Sequence, residues 1–261
     1  GYTLAGKGTE DAPYLIRSLN DLVWFRDNVN AGNNYQGKFI KLAESIDLKS
    51  EPWTPIATFN GVFDGNDKTI SNLVVNGEGK SNQGFFGQTN NGEIKNLTIN
   101  NANVKGRLNV GVVAGTPYTS KYTNIKVTGN VVVEGMAYVG GVGGKNAYAN
   151  WTDITVDVNT DSYVKATSTE GGTAHRTYVG GVIGFNGEGG HTFKNISSNI
   201  KVIGDVRDIG GIFGILHYGN KAENITFTGA VEAPADAKEV GGIAGVWHNE
   251  KGQTVTITNA K

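Results

Sequence analysis

The chain has no cysteine among its 261 residues, so disulfide staples and thiolate metal sites are excluded. Proline is scarce, at five residues, and no G-x-y register exists, which rules out collagen and proline-rich disorder. Excess charge of either sign is missing too: 23 basic residues face 24 acidic ones, leaving no basic footprint for nucleic acid. No apolar run approaches the roughly 20 residues needed to span a bilayer. The chain opens on glycine rather than methionine, so an upstream segment, such as a secretion signal, is expected to have been removed. What it has in abundance is glycine: 39 residues, about twice the usual share.

These glycines recur in a phrase. "NQGFFG", "NVGVVAG", "YVGGVGG", "YVGGVIG", "DIGGIFG" and "EVGGIAG" close on Gly87, Gly115, Gly144, Gly184, Gly214 and Gly245, at steps of 28, 29, 40, 30 and 31. Inside the phrase, Gly111, Gly140, Gly141, Gly180, Gly181, Gly210, Gly211, Gly241 and Gly242 are expected as structural hinges, through positive φ or close backbone approach. A second phrase follows 9 to 11 residues on and puts Asn96, Asn124, Asp153, Asn195, Asn224 and Thr254 in one phase. With Asn72, these asparagines predict a turn column whose amides bond the backbone and stack from coil to coil. Four N-x-[ST] triplets begin at Asn96, Asn150, Asn195 and Asn224; three lie in that column and are assigned to structure, not glycosylation.

Between the phrases the pattern has a period of two. Ile125, Val127, Val131, Val133, Val139 and Val142 alternate in short β-branched runs divided by turn residues. Two or three strands per 28 to 31 residues suit one coil of a solenoid, whereas a propeller blade needs four strands and about 40 residues. The expected fold is all-β: a right-handed parallel β-helix of about seven coils over 59–261, behind an N-terminal cap at 1–58. In the cap, "SLNDLVWFRDNVNAG" predicts an amphipathic helix. Ser18 is its N-cap, Leu19, Leu22, Val23, Phe25 and Val29 its apolar face, and Gly32 its stop. Strands at "PYLI" and "GKFIKL" flank it, and such a helix would cover the open end of a solenoid. No second cap is visible at "TVTITNAK", so flanking domains of a longer protein are expected.

The search for chemistry starts from the glycines. "GEGKS" and "GGVGGKN" fail as phosphate loops, because Val74 and Val139 stand where the upstream glycine belongs. No G-x-S-x-G elbow exists. Of His175, His191, His217 and His248, the pair His217 and His248 sits three residues after closing glycines and would stack about 5 Å apart. Only Asn249 and Glu250 could add ligands, so no metal and no cofactor are expected. Asp205 and Asp208 on one coil match Asp236 and Glu239 on the next, with Arg207 between. A lyase or glycosidase would need such acids converging on a groove; the expectation is a solvated edge.

The loop after each closing glycine is rich in rings: Tyr118 and Tyr122, Tyr148 and Trp151, His217 and Tyr218, Trp247 and His248. Equal offsets predict a broken ladder along one edge, suited to sugar faces or a protein partner. Tyr122 and Trp151 lie nearest the next strand and can cover the core instead. That leaves Tyr118, Tyr148, His217, Tyr218, Trp247 and His248 as candidate ligand contacts. Tyr138 and Tyr178 form a second line of only two members, and the long step marks an insertion near 167–177 expected to shape a binding face.

The run "FNGVFDGNDKTISNLVV" (59–75), the V-G-G repeats and the lead "GTEDAPYLIRSLNDLVWF" with "KFIKLAESIDL" resemble the GLUG-motif repeat family, over essentially the whole chain. That family comprises secreted bacterial surface proteins with right-handed β-helix folds, described as adhesins. The resemblance implies a secreted or cell-surface location and non-enzymatic adhesion to a host or cell-surface glycan or protein; membrane anchoring through a removed N-terminal segment is one arrangement compatible with it. Some large bacterial immunoglobulin-A peptidases carry similar repeats beside a zinc protease domain. No H-E-x-x-H occurs here, so that activity is not implied. The alternatives are a carbohydrate-active β-helix enzyme and a structural spacer.

Overall fold

Short β-branched runs divided by left-handed corners wind the chain into a parallel β-solenoid of about 8 stacked turns. The computed structural model describes residues 1–167, 176–187, 189–247 and 256–258. Three sheets climb the solenoid. The first stacks Tyr14–Ile16, Phe39–Leu42, Val62–Asn76, Glu93–Lys105, Lys121–Gly135, Asn150–Val158, Thr192–Ser198, Lys221–Phe227 and Thr256–Thr258. The second runs from Ile56–Phe59 through Phe86–Thr89, Ala114–Pro117, Gly143–Asn146, Ile183–Asn186 and Phe213–Leu216 to Ala244–Trp247. The third is shorter: Leu108–Val110, Ala137–Gly140, Val179–Gly180, Arg207–Gly210 and Lys238–Gly241. Parallel pairing continues below residue 59, where Phe39 and Ile40 oppose Val62 and Phe63.

Register turns each alternation into a vertical column. Ile40, Phe63, Ile94, Tyr122, Trp151, Phe193 and Ala222 oppose one another in turn, all buried. Each large side chain contributes about 1.5–3 kcal/mol when buried, but only if its neighbours above and below cover it. At the lower end that cover is the single helix of the described residues, Leu19–Asn30. Ser18 caps it, its side chain accepting from Asp21 N–H at 3.1 Å, and Gly32 leaves it with φ 118°. The Phe25 ring then lies 5.6 Å from Phe59 and 6.1 Å from Phe63, closing the bottom of the core.

The glycine phrase has a steric cause. None of its glycines adopts the left-handed region; of the two roles expected there, close backbone approach is the one found, at every named glycine but Gly242. A Cβ on Gly180 would sit 2.2 Å from the Ile183 carbonyl oxygen of its own coil. One on Gly181 would meet the Gly211 oxygen of the next coil at 2.2 Å, and one on Gly184 the Val139 nitrogen of the previous coil at 2.6 Å. Gly181 N–H donates to that Gly211 oxygen at 3.0 Å, so the close approach keeps the coils hydrogen-bonded through the bend.

Left-handed backbone falls instead on non-glycine corners and on glycines outside the phrase, such as Gly79 and Gly129. Asn96, Asn124, Asp153, Asn195 and Asn224 form one column, all left-handed. Their amides stack: Asn124 donates to Asn96 at 3.0 Å, Asn195 to Asp153 at 2.8 Å, and Asn224 to Asn195 at 2.8 Å. Asn72 belongs to a different corner, where it donates to Asp47 and accepts from Asn101. A bulge between Asp64 and Lys68 inserts extra residues into that rung, so counting along the chain misphases it.

Gly184→Ala, which forces a Cβ into backbone, is expected to lose about 1–3 kcal/mol in denaturant unfolding. Gly190→Ala, where nothing lies within 4 Å, should change stability by less than about 0.5 kcal/mol.

Candidate functional site

Two corners carry the candidate residues. The first is the left-handed column that opens each glycine phrase, two residues before its first glycine: Asn82, Asn109, Tyr138, Tyr178, Asp208 and Glu239. Asparagine tolerates this backbone because its short amide bonds locally, whereas a longer side chain is opposed by roughly 1–2 kcal/mol. In the lower coils amides close the corner: Asn109 donates to Asn82 Oδ1 at 2.8 Å, and the Thr116 hydroxyl donates to the same oxygen at 2.7 Å. Above them the column changes to rings.

Tyr138 and Tyr178 stack with centroids 4.9 Å apart, and Phe185 meets their rings at 5.4 and 5.0 Å. Lys145, opposite Phe185 in the register of the second sheet, holds its ammonium 5.3 Å from the Tyr138 centroid and 5.8 Å from that of Phe185. His217 extends the group, 5.3 Å from Phe185 and 5.8 Å from Tyr218. Burial, then the nearby Asp208 carboxylate, raises the Tyr138 hydroxyl above the ordinary phenol value; the same two causes push Tyr178 up to about 12. Sequence reading undervalued this cluster. Its missed members, Lys145 and Phe185, each directly follow a closing glycine, which was the available signal.

Higher in the column the corner is charged. Arg176 Nη1 donates to Asp208 at 2.9 and 3.1 Å and to Glu239 at 3.1 Å, while Arg207 grips Glu239 at 2.6 and 3.1 Å. The expected solvated edge is therefore corrected for two of its four acids: the Asp208 side chain is 0% exposed and Glu239 is locked by guanidiniums. Left-handed backbone directs both onto the same corner, where they share Arg176. Asp236 stays exposed and Asp205 half-buried. Burial, then the hydrogen bond and charge of Glu239, pushes Asp208 above the usual carboxylate range. Burial also acts upward on Glu239, but the Asp208 hydrogen bond and the two guanidiniums outweigh it and hold Glu239 low.

The second corner bears Tyr148, left-handed at φ 61°, where the coils below place Asn91 and Thr119. The residue is 56% exposed, the most open of the large apolar and aromatic residues among those described. Tyr118 lies 5.5 Å below it and His191 5.5 Å above, both edge to face, and Tyr148 N–H donates to His191 Nε2 at 3.3 Å. Tyr122 and Trp151 are core residues, stacked at 4.0 Å and fully buried, with the Tyr122 hydroxyl on that of Thr89. The expected ladder is thus two groups, Tyr118–Tyr148 and His217–Tyr218. His175, His248, Thr254, the Trp247 side chain and most of the insertion lie outside the described residues. Among the described residues no three His, Cys, Asp or Glu side chains are arranged to hold a metal, and no helix is long and apolar enough to cross a membrane.

No protein-family model matches the chain. It is 47% identical to halomucin of Haloquadratum walsbyi over 43% of its own length, and it spans 1% of that protein. A solved structure described as a candidate immunoglobulin A1 protease from Bacteroides ovatus matches 98% of this chain and 76% of its own, with a TM-score of 0.72 at 18% identity. That likeness concerns the fold.

Trp151→Ala is expected to cost about 3–5 kcal/mol of stability, as core truncation does. Tyr148→Asn should leave stability unchanged or raise it by about 1 kcal/mol, because asparagine suits the left-handed corner. For Glu239, the lowered folded-state pKa makes its stabilisation complete above the ordinary carboxylate range. It is lost as pH falls through the folded value, so the gap between wild type and Glu239→Gln should close on acidification.

Proposed function

We propose that the chain is a non-catalytic binding segment of a secreted or cell-surface protein of the GLUG-repeat type, presenting its corners to glycan or protein ligands. The observation that carries this reading is Tyr148: an exposed ring kept in a backbone conformation that asparagine would occupy more cheaply, flanked by Tyr118 and His191. A residue that costs stability and covers no core is retained for what it contacts. The similarity to a protein named halomucin supports an extracellular setting. Against a glycosidase or lyase stands the state of the best acid pair, since Asp208 is buried and both carboxylates are engaged by arginines.

A glycan array with the intact chain, repeated with Tyr148→Asn, tests the reading. The expected result is a set of bound glycans whose affinity drops at least about tenfold in the variant while the melt is preserved. Undiminished binding in the variant removes the Tyr148 row from the argument. New reducing ends or unsaturated products from the bound polysaccharides would overturn the non-catalytic reading.

A further inference from the structure

We propose that Tyr138, Tyr178, Phe185 and Lys145 form a subsite for an acidic sugar, one bearing a carboxylate, within a polysaccharide lying along the second sheet. The inference rests on the glycan-binding reading above and narrows its ligand. Lys145 forms no ion pair among the described residues, although Arg176, Arg207 and Lys201 each have at least one. Its ammonium is held over two ring faces, which orient a cation without neutralising it. Neither the Tyr138 nor the Tyr178 hydroxyl has a hydrogen-bond partner among the described residues, which leaves both able to donate to a ligand. One corner therefore offers apolar ring surface, two hydroxyls and one uncompensated cation. A sugar ring with a carboxylate needs those three things.

The neighbouring surface favours a polysaccharide over an acidic protein. Below Lys145 the register of the second sheet continues through Thr116, Gln88 and Thr58, with the amides of Asn109 and Asn82 along the flank. These are uncharged hydroxyl and amide groups at the coil repeat of about 4.8 Å, suited to sugar hydroxyls. The stripe runs into a cleft of about 620 Å³ lined by Thr58, Gln88, Asn82, Asn30 and Lys80. An acidic protein surface would call for several free cations, yet Arg176 and Arg207 are consumed by Asp208 and Glu239.

The test is calorimetric titration of the intact chain with polygalacturonate and alginate, each beside its methyl-esterified counterpart. Wild type is expected to bind the acid forms at least about tenfold tighter than the esters. Lys145→Gln should abolish that ratio, and Lys145→Arg should keep it. Tyr138→Asn with Tyr178→Asn should weaken both forms, since asparagine preserves the corner while removing the rings. Equal binding of acid and ester by wild type, an unchanged ratio in Lys145→Gln, or no binding of any of the four polymers overturns the subsite. Tyr148→Asn separates the two readings. Array binding lost in that variant, without any acid preference in wild type, sinks the subsite alone; an acid preference in wild type together with undiminished array binding in Tyr148→Asn supports the subsite and removes the Tyr148 row.

Discussion

Everything in this molecule depends on how closely one turn of backbone can lie on the next. Parallel strands hydrogen-bond at about 4.8 Å, and the chain must hold that spacing through its sharpest bend as well as along its straight faces. At the bend Gly181 meets Gly211 of the coil above, with room for a hydrogen bond and none for a Cβ. A methyl group there would push two coils apart and disturb the pairing on all three sheets. Cooperativity between coils thus enters through the smallest side chain in the repeat.

With the bend assigned to glycine by crowding, the corners are free to carry side chains. Asparagine fills more of them than any other residue, ten of the described non-glycine left-handed positions, since its amide satisfies that backbone and bonds the coil below, as Asn124 does with Asn96. The exceptions are informative. Tyr138, Tyr178, Asp208, Glu239 and Tyr148 occupy positions where asparagine stands lower in the same columns. Such substitutions work against local preference and gather on two neighbouring corners of the upper coils. Local conflict of this kind is where function is expected to reside.

The column that opens the glycine phrase also shows how one scaffold position changes chemistry from rung to rung. It passes from amides at Asn82 and Asn109 to stacked rings at Tyr138 and Tyr178, then to carboxylates at Asp208 and Glu239 with their arginines. Backbone geometry is the same at each level, so the character of the surface is set by side chains alone. The charged rungs neutralise themselves; the ring rungs leave Lys145 without an ion pair among the described residues.

The repeat spacing, the period-two alternation and the N-cap at Ser18 were enough to specify a solenoid with a helix over its lower end, because stacking, alternation and capping are local rules repeated along the chain. The candidate site was only half legible. The post-glycine rings could be named, but not sorted: Tyr118 and Tyr148 face outward while Tyr122 and Trp151, a few residues on, fill the core. Sequence could not phase Asn72, because a bulge shifts its rung, nor join Arg176 to Asp208 across 32 residues. Period and composition determine that coils form. Which side chains meet across coils is decided by register and corner geometry, and those exist only once neighbouring turns are in contact.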